Sequence, residues 1–290
     1  MGRNVLAMIV DGHVAVNGEG GGVHQPLRNG DYIEVDMAGC KPSAEKSDPE
    51  GLDILYRDEG TLCVFKPAGI PVIPDRRPKG STAVELCRKM LAPEGLRPKP
   101  VHRLDKHTSG VLMLALTKEY VHPLGELFAQ RQVEKIYLAF VRGTPRPAEG
   151  EIDLAIGTDR KKATRMVIDR ARGKPALSLF KTLKTWNGYS LVEVRPKTGR
   201  THQVRVHLAH IKHPILCDAL YGGGDAFHLS TIKPDYRIGR GRRERPILNR
   251  QALHAAELRF RSPATGKDVV VKAPLPEDLV ILQGKLEKFA

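Results

Sequence analysis

The run Val111-Leu112-Met113-Leu114-Ala115-Leu116 constrains this chain most. It is apolar without interruption and short enough to be a buried strand rather than a helix. The residues that feed it are His102-Arg103-Leu104-Asp105-Lys106-His107-Thr108-Ser109-Gly110. One carboxylate, Asp105, sits among Arg103, Lys106 and two histidines. Thr108-Ser109-Gly110 reads as a small-residue turn into the strand. An Asp between Arg and Lys is most often a surface ion pair. The sharper alternative is a reactive carboxylate, kept ionised by cationic neighbours at the mouth of a strand.

The chain has 290 residues and 41% hydrophobic content, enough for one large domain and an appendage. No apolar run is long enough to cross a membrane, and the stretch 5–10 is too short for a secretory signal. Cys40, Cys63, Cys87 and Cys217 stand far apart with no CxxC pair, which points to a reducing, cytoplasmic setting. The formal net charge is +14. An excess of that size favours a polyanionic partner, with denser basic patches at 161–172 and 237–250. The absence of a long basic amphipathic helix turns the choice from membranes toward nucleic acid.

Residues 1–40 read as a small separate unit and 41–51 as a polar linker with Pro42 and Pro49. In the first unit, Val14-Ala15-Val16 is a strand ending in an Asn17-Gly18 turn, and 27–35 alternates as a second strand. Strands are expected at 53–56 and 62–65. Thr82-Ala83-Val84-Glu85 reads as a capping box that opens a helix to about Leu91. A helix is expected from Thr117 to about Gln130, disturbed by Pro123 and Gly125. Residues 133–141 alternate, with Lys135 and Tyr137 sharing one face. Residues 149–172 read as hairpin-like. Strands 176–183 and 189–195 are joined by a turn at Trp186-Asn187-Gly188. A helix over 201–211 carries the stripe Val204, Leu208, Ile211, with Arg205 off it. Its Gly199-Arg200-Thr201 entry is a fair place for a phosphate. Residues 222–250 read as a mobile Gly/Arg-rich loop, and 253–260 and 267–272 as strands.

Two resemblances organise these pieces. Val14-Ala15-Val16-Asn17-Gly18 with Gly30-Asp31-Tyr32-Ile33-Glu34-Val35 resembles the second half of an S4-like RNA-binding domain, the helical first half being reduced to 3–10. Leu52 to Lys272 resembles the RluA-type family of pseudouridine synthases. The resemblance rests on ordered motifs: Lys66-Pro67-Ala68-Gly69, His102-Arg103-Leu104-Asp105, Lys135-x-Tyr137-x-Ala139 and Lys174-Pro175-Ala176. Gly199-Arg200-Thr201-His202-Gln203-Val204-Arg205 follows, then His213-Pro214-Ile215 and Leu253-His254-Ala255.

The resemblance implies an α+β fold: a mixed, largely antiparallel sheet with flanking helices and a central RNA-binding cleft, catalytic over 52–290. It implies an enzyme that isomerises uridine to pseudouridine in structured RNA without cofactor or metal. Asp105 is then the catalytic carboxylate, Tyr137 the aromatic residue that stacks on the target base, and Arg205 the partner of the aspartate. Arg103 matches the residue that fills the gap left by the flipped base, and Lys135, Arg200 and His202 are expected to face RNA. The S4-like head favours ribosomal over transfer RNA, and a monomer is the default.

Cys217 stands where the family has Gly, so Asp218 is not carried over as a site residue. Two other readings stay in view. One is a catalytically silent RNA-binding or ribosome-associated protein on the same fold. The other is a metal hydrolase using His202, His207, His210 and His213, whose spacing lacks the His-x-x-x-His geometry and any acidic partner.

Overall fold

The computed structural model describes residues 14–22, 25–26, 31–35, 51–74, 81–237 and 244–290. It divides into two units, Met1–Glu50 and Gly51–Ala290. In the first, β1 (Val14–Val16) pairs antiparallel with β2 (Glu19–Gly20) and β3 (Ile33–Val35). Asn17 and Gly18 turn the chain with φ of 54° and 82°, as a two-residue hairpin requires. Asn17 also accepts the Tyr32 N–H on its side-chain oxygen at 2.9 Å, which locks the turn to the third strand. The expected strand over 27–35 is confined to Ile33–Val35 among the described residues. The reduced helical piece at 3–10 and residues 41–50 of the linker lie outside them.

The second unit opens with β4 (Ile54–Arg57), β5 (Thr61–Lys66) and α1 (Ala83–Met90). Next come β6 (Lys99–Pro100), β7 (Ser109–Ala115), α2 (Val121–Ala129) and β8 (Glu134–Arg142). The chain continues through β9 (Glu149–Asp153), β10 (Ile156–Thr158), β11 (Met166–Ile168), β12 (Leu177–Trp186) and β13 (Tyr189–Pro196). It ends with α3 (Gln203–His210), β14 (Leu253–Arg261), β15 (Asp268–Lys272) and α4 (Glu277–Phe289). One ten-stranded sheet runs β4-β5-β7-β14-β8-β13-β12-β9, with β15 beside β14 and β6 beside β7. Every pairing in it is antiparallel except β7 with β14. The fold is thus α+β on a mixed, largely antiparallel sheet.

β7 is buried along its whole length, and the reason lies in two covers. Leu112, Leu114 and Leu116 join Leu62, Val64 and the α1 residues Ala83, Val84, Leu86 and Cys87 on one face. Val111, Met113 and Ala115 pack with Leu124 of α2 and with Leu258 and Phe260 on the other. A strand covered on both faces shows no alternation. β5 follows one edge of β7 from Lys66 to Thr61. The other edge is shared: β14 holds Ser109 and Gly110, and β6 holds Leu114 and Ala115. Gly110 is obligatory here, since its φ is +126° and a Cβ would lie 2.1 Å from the Ala255 carbonyl oxygen. Between the two partners the Met113 N–H donates to His102 Nε2 at 2.9 Å. That bond anchors the first residue of the Asp105 segment to the central strand.

Several expectations need correction. Thr108-Ser109-Gly110 is not the turn. The chain turns at Asp105–Thr108, where the Thr108 N–H donates to the Asp105 carbonyl at 3.0 Å, and Ser109 already pairs in β7. α2 starts at Val121 rather than Thr117, which places Pro123 in its first turn, where a missing N–H costs nothing. The stretch 222–250 is not simply a mobile loop. Among its described residues Phe227, Ile232 and Leu248 are buried, and Phe227 bridges Leu248, because its apolar residues complete the core under α4. The capping box is present as read: the Glu85 N–H donates to Thr82 Oγ1 and the Thr82 N–H to Glu85 Oε2. No helix of the described residues is long and apolar enough to cross a membrane.

Candidate active site

All seven residues singled out in the sequence line one cleft of about 640 Å³. Arg103 and Asp105 come from the loop before β7, Lys135 and Tyr137 from β8, and Arg200, His202 and Arg205 from the entry to α3. β8 and α3 converge there because β8 pairs with β13, and β13 runs directly into the α3 entry. The volume lies within the range of small-ligand sites, roughly 300–1,000 Å³, and a flipped nucleoside fits that scale.

Arg205 is the hinge of the geometry. Its Nη1 donates to Asp105 Oδ2 at 2.9 Å. Its Nε and Nη2 donate to Asp218 Oδ2 and Oδ1 at 2.7 and 2.9 Å. Burial works against the guanidinium charge. The hydrogen bonds and negative charges of Asp218 and Asp105 outweigh that effect and raise its pKa. Asp218, left aside in the sequence reading, is therefore part of the construction. The spacing from His213-Pro214-Ile215 to an acid was the available signal, obscured by Cys217. The structure explains that departure: Cys217 has φ of 58°, the left-handed region a glycine occupies freely.

The Asp105 loop is held from outside through its backbone. Lys66 is wholly buried, and its Nζ donates to the carbonyls of Pro67, Ile70 and Lys106 at 2.8, 2.8 and 3.1 Å. All three ammonium donors are thereby used. Burial, with the like charge of Arg250, pulls its pKa down to about 7 against the attraction of Asp105. Arg250 Nη1 donates to the His107 carbonyl at 3.2 Å, and Gln251 Nε2 to Thr108 Oγ1 at 2.7 Å. The Arg250 guanidinium is fixed in turn by Asp278 at the start of α4. The Lys-Pro-Ala-Gly motif was legible, but nothing in it announced that its lysine points inward.

The remaining residues differ in their settings. Burial raises the Tyr137 pKa, and the Asp105 charge adds to it, so the phenol stays protonated. Lys135 donates to the Thr198 carbonyl at 3.0 Å, and burial lowers its pKa to about 8. Arg103 is exposed at the rim. Arg200 is turned partly away, its Nε donating to the Pro175 carbonyl at 3.0 Å. Gln203 ties the entry of α3 down, accepting from Thr198 Oγ1 and the Arg200 N–H and donating to the Leu177 carbonyl. α3 itself begins at Gln203, later than expected, since His202 is left-handed with φ of 55°. Two of the other histidines are held by separate partners. His207 lies against Ser178 Oγ and the Leu154 carbonyl, and His213 against the Arg142 carbonyl.

The cleft thus offers an accessible carboxylate aligned by an arginine, a neutral phenol beside it, and a cationic rim. That set suits a polyanion that inserts one base. A sequence profile of the RNA pseudouridylate synthase family matches residues 60–210. The chain is 36% identical to an uncharacterized RNA pseudouridine synthase of Chlorobaculum parvum, over 99% of this chain and 90% of the relative. It is 34% identical to the ribosomal large subunit pseudouridine synthase D of Neisseria meningitidis, over 93% of this chain and 71% of the relative. Among solved structures it is similar to human RNA pseudouridylate synthase domain containing 4. The TM-score is 0.60 at 27% identity, covering 81% of this chain and 93% of that one. With a matching profile over half its length and relatives this similar along nearly all of it, the chain belongs to the RNA pseudouridylate synthase family of RNA-isomerising enzymes.

Proposed function

We propose that this protein converts uridine to pseudouridine in structured RNA, with ribosomal RNA preferred over transfer RNA, and that Asp105 is its catalytic carboxylate. The observation that carries the reading is the 2.9 Å bond from Arg205 Nη1 to Asp105 Oδ2 inside a cleft that Tyr137 also lines. The ribosomal preference is supported by relatives named ribosomal large subunit pseudouridine synthase D at 34% identity. The net charge of +14 suits either RNA.

In this reading the target nucleotide leaves its stack, at a cost of about a few kcal/mol, and Arg103 fills the gap. Tyr137 stacks on the inserted uracil, a contact worth roughly 1–3 kcal/mol. The N1–C1′ bond breaks, the uracil turns, and C5 bonds to C1′. The C5 proton is then lost and N1 gains one, so the product is an isomer of the substrate. Asp105, oriented by Arg205, acts as nucleophile or base on the nucleoside. Lys135 and Arg200 neutralise backbone phosphates near the cleft. Residues 52–290 carry the chemistry, and the small N-terminal unit serves as an RNA-binding accessory.

The test is Asp105→Asn together with a map of pseudouridines in RNA from cells with and without the gene. The variant is expected to fold, bind RNA and form no product, and one or more ribosomal positions are expected to lose modification without the gene. Normal product formation by the variant removes Asp105 from the mechanism. An unchanged map favours the silent RNA-binding alternative.

A further inference from the structure

Tyr221 has no part in the scheme above, yet it reaches the catalytic carboxylate through one side chain. It lies beyond Asp218, with 8% of its surface exposed. Its hydroxyl accepts the Met166 N–H of β11 at 2.9 Å and stands 2.8 Å from His202 Nδ1. On the far side of the imidazole, His202 Nε2 lies 3.9 Å from Asp105 Oδ2. The guanidinium of Arg205 sits 5.0 Å from the centre of the Tyr221 ring.

Hydrogen bookkeeping decides the tautomer. A phenol donates one proton and accepts through its lone pairs. The Met166 N–H occupies a lone pair, and the phenol proton then has His202 Nδ1 as its acceptor. A neutral imidazole carries one N–H and one bare nitrogen. With Nδ1 accepting, the proton sits on Nε2 and faces Asp105. The opposite tautomer would aim a lone pair at a carboxylate. The ring is neutral because burial lowers its pKa. Asp105 and Asp218 pull the other way, and Arg205 and Arg103 add to the lowering.

We propose that Tyr221 and His202 are positioning residues for Asp105. Tyr221 fixes the Nε2–H form of His202, and that N–H together with Arg205 Nη1 orients the carboxylate from two sides. His202 thus serves the carboxylate rather than the RNA. The inference rests on the reading of Asp105 as the reactive group, and its test separates the two.

Long-range proton–nitrogen NMR of the full-length protein, labelled at its histidines, reads the tautomer directly, with His202→Gln assigning the signals. Wild-type His202 is expected to be protonated at Nε2 and bare at Nδ1. In Tyr221→Phe the ring is expected to shift toward the Nδ1–H form. On an RNA substrate, kcat should fall by about tenfold or less, the size of one lost neutral hydrogen bond, with KM little changed. His202→Gln, whose amide N–H can replace Nε2–H, should keep more activity than His202→Ala. A wild-type ring protonated at Nδ1 overturns the inference without any variant, and so does a Tyr221→Phe protein with unchanged tautomer and kcat. If Asp105→Asn is inactive while those results fail, only this inference falls. If Asp105→Asn is active, the underlying reading falls whatever the tautomer.

Discussion

Two loops bring a carboxylate to Arg205, and they are built to opposite ends. The loop after α3 delivers Asp218, whose side chain is 1% exposed and takes two of the guanidinium donors. The loop before β7 delivers Asp105, whose side chain is 23% exposed and takes one donor. The first loop is closed on itself: Gly223 passes so near the Ile215 carbonyl that a Cβ would sit 1.7 Å from its oxygen. The second is clamped through its carbonyls by Lys66 and Arg250, which leaves its acidic side chain turned to the cleft. The difference teaches a division of labour. Asp218 fixes the plane of the arginine by a bidentate pair, and the fixed plane then presents Nη1 at one point. Asp105 is oriented there without being covered.

The most severe way to break this comparison is to exchange the fates of the two acids. Asp105→Asn should lower pseudouridine formation by about 10⁴-fold or more, with the melting temperature moved by only a few degrees. Single-turnover assays beside thermal unfolding check both halves. A large loss of stability would make Asp105 a structural acid after all.

Asp218→Ala should act first on the fold. It leaves a buried guanidinium short of its main partner, a cost of roughly 3 kcal/mol, at the low end for a broken buried pair because Asp105 remains. Urea unfolding measures this, and a variant as stable as the parent would refute the division.

Lys66 sharpens the contrast on the Asp105 side. Its pKa is lowered from 10.5 to about 7 on folding. Between those values the unfolded chain holds the proton more tightly than the folded one. The stability contributed by this group therefore rises with pH across that window, by up to about 1.4 kcal/mol per pH unit, and is flat on either side. Subtracting Lys66→Met from wild type in unfolding at several pH values isolates the slope. Equal slopes would mean that folding does not lower the Lys66 pKa and that the buried amine keeps its proton up to the ordinary lysine range.

Cys217→Gly should matter least. It removes a left-handed non-glycine, worth about 1–2 kcal/mol, and loses a buried thiol worth about 1 kcal/mol. The two nearly offset, so melting and activity should both stay close to wild type. A several-fold loss of activity would show that the Cys217 side chain helps place Asp218.

Parts of this were readable in the chain itself. Six unbroken apolar residues after Asp105 announced a buried strand, and β7 is one. Asn17-Gly18, the Thr82–Glu85 capping box and the turn at Asn187-Gly188 are local chemistry and lie where read. The alternation along β8 put Lys135 and Tyr137 on one face, and both line the cleft. α4 went unread although Leu279, Leu282 and Leu286 form its buried stripe, with Glu277 and Asp278 in its first turn. The role of Asp218 also went unread, because its importance lies in the arginine it meets.

The sequence by itself determined the elements, since periodicity and turn chemistry act over a few residues. Through its motifs it also named the residues that line the cleft. The resemblance had already paired Arg205 with Asp105, and the tertiary structure decided the geometry of that pair and the other contacts. Arg205 lies 100 positions from Asp105, Ser109 lies 145 from His254, and Arg250 lies 143 from the His107 carbonyl. No local pattern encodes such pairs, because they form when the strands of one sheet align. Asp105 became a site rather than a surface ion pair because β8 and α3 converge beside it.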